Sequence, residues 1–134
     1  RGVLAAGETE RAIKFLKDYS GRRLLGDHVP YPVEAWPEGD QRHLAAESAL
    51  YCRVYTEGLF GLRPAGLRAF VLTPRLPAGW NSMRLNKAQA FGHDFDVAVT
   101  RQGDQQLIEV TTGGRKVFSQ ALANGESVTV RFTD

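Results

Sequence analysis

Two different spacings of hydrophobic residues divide the chain. Over residues 8–19 apolar side chains recur every three or four positions, which predicts an amphipathic helix that ends at Ser20-Gly21. A second helix-like run covers about residues 44–56 and ends at Glu57-Gly58 or, alternatively, at Gly61. Its apolar and small residues lie on more than one helical face, so we expect it to need neighbours on several sides.

After Pro64 the hydrophobic period falls from about 3.6 residues to about 2, and Gly and Pro punctuate the chain. This pattern predicts six short antiparallel strands, at residues 69–73, 83–91, 94–101, 106–111, 115–122 and 127–132. The predicted turns are at Gly92-His93, Gly103-Asp104, Gly113-Gly114 and Asn124-Gly125. Strands of this length and spacing favour a β-sandwich, with Phe91, Phe95, Phe118 and Phe132 in its core. The sequence therefore predicts an α+β fold, with N-terminal helices followed by an antiparallel β-sandwich.

Composition excludes several classes of function. The 134 residues are 43% hydrophobic and 24% charged, which is typical of a globular domain with its own core. The 17 Lys and Arg are scattered among 15 Asp and Glu, without the basic stripe of a nucleic-acid-binding protein. No run approaches the ~18 apolar residues of a membrane span. The single cysteine, Cys52, rules out an intrachain disulfide, and we expect it to be a small buried hydrophobe.

Candidate chemistry is concentrated in the segment between the two predicted helices. Glu34 and Glu38 lie among prolines and aromatic residues, a setting that can desolvate a carboxylate and raise its pKa. Tyr31 and Trp36 provide the aromatic rings, and His43 lies just before the second helix. His28 and His93 lack partners at ligand spacing, so we expect neither a metal site nor a cofactor.

The order of these motifs resembles the C-terminal end of six-hairpin glycosidases, and in particular of the α-L-rhamnosidases. The motifs that carry this resemblance are Glu34-x-Trp36, His43 at the start of an Ala-rich helix and the helix exit Gly-Leu-Phe-Gly-Leu-Arg-Pro at 58–64, which leads into β-strands. Hydrolases and phosphorylases of disaccharides with the same α/α toroid end similarly, with a strand like Phe-Val-Leu-Thr-Pro at 70–74 and a following motif like Pro-Ala-Gly-Trp at 77–80.

The resemblance implies that residues 1–61 form the last hairpin of an α/α toroid and residues 62–134 a C-terminal β-sandwich. It implies a parent enzyme that cleaves glycosidic bonds, in which Glu34 is the general base, Trp36 and Tyr31 contact the sugar, and His43 donates to a hydroxyl. Its general acid lies outside this chain, so the fragment alone is expected to be inactive. The helices are expected to be covered by the rest of the parent enzyme or by another protein chain.

Two departures from the rhamnosidase pattern leave alternatives open. Arg42-His43 replaces Asn-His, and an additional acidic cluster is present at 37–40. The sugar is therefore open, and so is the choice between Glu34 and Glu38 as the base and between water and phosphate as the acceptor. The alternative of a different class is a non-catalytic β-sandwich that acts as a scaffold or binds carbohydrate.

Overall fold

The computed structural model describes residues 1–24 and 45–133 of the chain. Its helical part consists of α1 (Gly2–Ala5), α2 (Thr9–Arg23) and α3 (Ala45–Arg53), and α3 continues directly into a π-helix (Val54–Leu59). Seven strands follow: β1 (Arg63–Gly66), β2 (Ala69–Leu72), β3 (Ser82–Ala90), β4 (His93–Gln102), β5 (Gln105–Thr112), β6 (Arg115–Ala123) and β7 (Val128–Arg131). None of the helices in the described ranges is both long and apolar enough to cross a membrane.

The strands form two antiparallel sheets, which confirms the α+β prediction of helices followed by a β-sandwich. One sheet has the order β1-β2-β7 and the other the order β3-β4-β5-β6. Each of the six predicted strands is present with its ends within about two residues of the prediction. The sequence pattern missed β1, because its residues, Arg63-Pro64-Ala65-Gly66, are all exposed and show no alternation.

Both predicted helices continue beyond the first position at which the sequence predicts their C-terminal end. Helix α2 continues through Gly21 to Arg23, where the N–H of Leu24 donates to the carbonyl of Ser20. Gly21 is not in the left-handed region, so it is a helical residue and not a C-cap. The second helix continues past Gly58 and ends at the alternative position, Gly61, whose φ is +61°.

Aromatic rings fill the centre of the sandwich. Phe70 of β2 is fully buried and lies 5.0 Å from Phe95 and 5.6 Å from Phe132, between ring centroids. Phe91 and Phe118 are half-buried against the same core, so all four predicted aromatic residues contribute to it. The helices share this core through buried residues that include Leu4, Ile13, Leu59 and Phe60.

The β3–β4 turn is shifted by one residue from its predicted position. The two-residue loop is Phe91-Gly92, with φ of +57° and +77°, and not Gly92-His93. Two positive φ angles are typical of a type I′ hairpin turn, which normally selects Asn or Gly at its first position. Phe91 adopts this conformation because its ring stacks on Phe70, 5.1 Å away.

Cys52 is exposed on α3, so the prediction that it would be buried is wrong. The residues of α3 alternate little between apolar and polar faces, so sequence alone did not fix which face of the helix is turned inwards. The division of the chain at residue 61 into two domains stays a prediction, although every described helix precedes that residue and every described strand follows it.

A close backbone contact joins the helices to the sandwich at Gly61. The N–H of Thr73 donates to the carbonyl of Phe60 (3.1 Å), and that of Arg75 donates to the carbonyl of Leu59 (2.8 Å). A β-carbon placed on Gly61 would lie 2.5 Å from the carbonyl oxygen of Thr73. Only glycine therefore fits this position, both for its φ and for its distance from the neighbouring chain.

We expect Gly61→Ala to lower the free energy of unfolding by about 2 kcal/mol or more. Alanine is strained at the positive φ of this position, and its β-carbon would also clash with the backbone carbonyl of Thr73. Urea unfolding of the two proteins measures this. Gly79→Ala is the matched control, since Gly79 has no positive φ and nothing within 4 Å of an added β-carbon. Equal losses in both variants would contradict the role assigned to Gly61.

Candidate functional site

All five site residues predicted from sequence lie outside the described residues. Tyr31, Glu34, Trp36, Glu38 and His43 belong to residues 25–44, so their predicted roles stay predictions. The structure does describe the two ends between which this segment runs, Leu24 after α2 and Ala45 at the start of α3.

A cluster of hydroxyl groups joins those two helices. The hydroxyls of Ser20 and Tyr51 lie 2.6 Å apart, and the hydroxyls of Tyr51 and Tyr55 lie 2.5 Å apart. The Ser20 hydroxyl also donates to the carbonyl of Leu16, at 2.6 Å. We call Ser20, Tyr51 and Tyr55 the hydroxyl cluster.

The direction of each hydrogen bond in the hydroxyl cluster follows from the proton count. Ser20 has one hydroxyl proton and donates it to Leu16, so Tyr51 must donate to Ser20. Tyr51 has then used its own proton, so Tyr55 must donate to Tyr51. The Tyr55 oxygen consequently retains acceptor lone pairs and has no proton to offer a further partner.

Aromatic contacts hold the hydroxyl cluster in place. The ring of Tyr19 stacks on that of Tyr51 at 5.4 Å, and the ring of Tyr55 meets Tyr51 edge-on at 5.2 Å. Burial, and then the hydrogen bond with Tyr51, raise the pKa of Tyr55 well above its ordinary value of 10.0. A phenol with a raised pKa keeps its proton, so Tyr55 is poorly suited to act as a general base at neutral pH.

Two grooves are lined in part by residues of this cluster, the first by Tyr51 and the second by Ser20 and Tyr55. The first, of about 430 Å³, is lined mainly by apolar side chains of α1, α2 and α3, including Leu4, Leu16 and Val54. On the same helices Phe15 is 50% exposed and Leu50 57% exposed, so large apolar surface faces solvent there. The sequence predicted such unsupported apolar surface on the helical part.

The second groove, of about 470 Å³, lies where α2 meets the sandwich. It is lined by the last turns of α2, by Tyr55 of the π-helix and by Trp80 from the loop after β2. Single-turn π-helices are rare and are found disproportionately at functional sites. In the sequence Trp80 is only part of the Pro-Ala-Gly-Trp motif, and the structure adds its position in this groove.

Neither the ion pair network at Glu57 nor the possible metal ligands of the described residues indicate a further catalytic or metal site. Glu57 pairs with both Arg1 and Arg53, and the hydrogen bond from Arg53, above all, lowers the pKa of that carboxyl. Across residues 1–24 and 45–133, no three His, Cys, Asp or Glu side chains gather as a metal site would require. His93 packs on the ring of Phe132, 4.2 Å away.

Comparison of this chain with models of protein families, with curated proteins and with solved structures found no match. The motifs of the sequence and the geometry of the described residues are therefore what indicates the function.

Sequence analysis missed the hydroxyl cluster, although part of its signal was present. Tyr51 and Tyr55 are four residues apart and so lie on one face of a helix. The sequence around Ser20 predicts a helix stop, and nothing local to residue 20 indicates a contact with a tyrosine 31 residues further along. The contact depends on tertiary packing, which sequence spacing alone does not reveal.

The raised pKa of Tyr55 predicts a loss of stability in alkaline solution. Unfolded Tyr55 loses its proton near pH 10, whereas folded Tyr55 keeps it, so the free energy of unfolding falls as pH rises above about 10 and is unaffected below. Urea unfolding at about pH 8 and about pH 11 measures the fall. We expect it to be smaller in Tyr55→Phe, which lacks the group, and an equal fall in both proteins would contradict this assignment.

Proposed function

We propose that this chain is the C-terminal part of a glycoside hydrolase of the α/α toroid class, and that it supplies the general base. The observation that carries the proposal is the order of motifs from Glu34-x-Trp36, through the helix exit at 58–64, to Pro77-Ala-Gly-Trp80. That order resembles the C-terminal end of six-hairpin glycosidases.

The described fold supports this proposal in its element order. A helix precedes the segment that carries Glu34, a second helix follows it, and the exit at Gly61 leads into an antiparallel β-sandwich. The same order is implied by the resemblance. Fold alone does not establish an activity, so the proposal depends on the site residues and on their test.

The anchoring of the segment also supports a site there. Along the helices Leu24 lies about 6 Å beyond Ser20, and Ala45 lies about 9 Å before Tyr51, at a rise of ~1.5 Å per residue. Because the hydroxyls of Ser20 and Tyr51 are hydrogen-bonded, Leu24 and Ala45, the described residues that flank positions 25–44, both lie near the hydroxyl cluster. Functional loops are commonly carried in this way by rigid elements.

In the proposed reaction Glu34 removes a proton from water as the water attacks the anomeric carbon. A carboxylic acid from another part of the parent enzyme protonates the leaving oxygen. Trp36 and Tyr31 would form an apolar platform for the sugar ring, and His43 would donate a hydrogen bond to a sugar hydroxyl. Glu38 is the alternative base.

The partner proposed for the helices is the rest of the parent enzyme. Two large apolar side chains are strongly exposed: Leu50 at 57% and Phe15 at 50%. The 430 Å³ groove that they help to line is mainly apolar. Surfaces of this kind are commonly buried against another protein surface. Packing against neighbouring toroid helices would remove them from water.

We expect Glu34→Gln in the intact parent enzyme to lower turnover by roughly 10² to 10⁴ fold with folding preserved, because the amide cannot accept a proton from water. Steady-state kinetics with a glycoside substrate measures the change. Glu38→Gln is the matched control and should have a much smaller effect.

Two other outcomes of this experiment would contradict the role assigned to Glu34. Loss of turnover in Glu38→Gln alone would transfer the role of base to Glu38. Normal turnover in both variants would overturn the proposed role of this segment in catalysis.

A further inference from the structure

The 470 Å³ groove between α2, the π-helix and the loop of residues 77–80 has the size of a small-molecule site. Pockets that bind small molecules have volumes of roughly 300 to 1,000 Å³. Its lining is mainly apolar and includes Ile13, Leu16 and Leu24. Four further lining side chains carry polar atoms: Lys17, Ser20, Tyr55 and Trp80. An apolar surface with a few polar groups is the usual composition of such sites.

The loop that carries Trp80 is held rigidly. Arg101 of β4 donates from Nη2 to the carbonyl of Pro77 (2.6 Å) and from Nε to that of Trp80 (3.1 Å). The N–H of Trp80 closes a turn on the carbonyl of Pro77 (3.0 Å), and Ala78 donates its N–H to Glu10 of α2 (2.7 Å). The backbone of Trp80 is therefore fixed relative to both the sheet and α2, which reduces the entropy lost on binding.

The polar groups of this groove complement a hydroxyl group. The Tyr55 oxygen has donated its proton to Tyr51, so it can only accept. The indole N–H of Trp80 and the ammonium of Lys17 can only donate, and neither makes a hydrogen bond to another residue within 1–24 or 45–133. A hydroxyl both donates and accepts, so neighbouring hydroxyls on one ring could satisfy all three groups.

We propose that this groove is a binding site for a pyranose ring, with Trp80 as its aromatic platform. The flat apolar face of the sugar packs on the indole, one hydroxyl donates to Tyr55, and others accept from Trp80 and Lys17. A ligand without hydroxyls would leave these groups unsatisfied when it displaced their water. The site does not depend on any role of Glu34, and each residue to which we assign a contact belongs to the described part of the chain.

Trp80 itself can report binding. The chain has two tryptophans, so Trp36→Phe leaves the indole of Trp80 as the single tryptophan signal. We expect the Trp80 indole N–H resonance of the isotope-labelled variant to shift saturably with maltose or glucose, with Kd on the order of 1 mM. Cyclohexanol, which offers a similar ring with one hydroxyl, should bind at least about tenfold more weakly.

Variants locate the contacts. Tyr55→Phe removes the acceptor oxygen and keeps the ring, and it should weaken sugar binding about tenfold. Lys17→Gln should weaken it severalfold, whereas Lys14→Gln should leave it unchanged, because Lys14 of the same helix pairs with Asp18 outside the groove. Far-UV circular dichroism checks that each variant is folded, and if Tyr55→Phe unfolds, the two lysine variants decide.

Three results would overturn the proposal. The first is an indole shift that stays linear with sugar concentration. The second is equal affinity for cyclohexanol and maltose, which would make the groove a general apolar site. The third is an equal effect of Lys17→Gln and Lys14→Gln on sugar affinity.

Discussion

The contact between Gly61 and Thr73 is the constraint on which the arrangement of this molecule depends. It ends the π-helix and turns the chain into β1. Two backbone hydrogen bonds there join Leu59 and Phe60, at the end of the helix, to Arg75 and Thr73, just beyond β2. Because the backbones approach so closely, the relative position of helix and sheet has little freedom there. The shared core of Leu4, Leu59 and Phe70 forms on that basis.

The second junction lies at the loop of residues 77–80. Arg101 binds this loop from the four-stranded sheet, and Glu10 binds it from α2, so it connects layers that are distant in sequence. The hydroxyl cluster joins α2 to α3 and the π-helix, and two of its residues, Ser20 and Tyr55, line the groove beside Trp80.

Sequence reasoning predicted the fold well where one face of an element is buried. The alternation of Phe95, Val97 and Val99 specified β4, and these residues are buried as that pattern requires. It failed where tertiary contacts override local preference. Gly21 looked like a helix stop but lies inside α2, and the exposed residues of β1 gave no pattern to detect. The same limit applies to the site: Glu34 and its neighbours could be named from motifs, whereas the hydroxyl cluster and the Trp80 groove required coordinates.

The left-handed Phe91 has a consequence for the order of folding. Its local preference opposes the turn it occupies, and the closest ring contact that stabilises that conformation is the stack on Phe70 of the other sheet, at 5.1 Å, with Phe95 of β4 further away at 6.3 Å. The β3–β4 hairpin should therefore close late, after the two sheets have met. Gly113-Gly114 adopts positive φ angles without such help, so the β5–β6 hairpin can close early and serve as the nucleus of the four-stranded sheet.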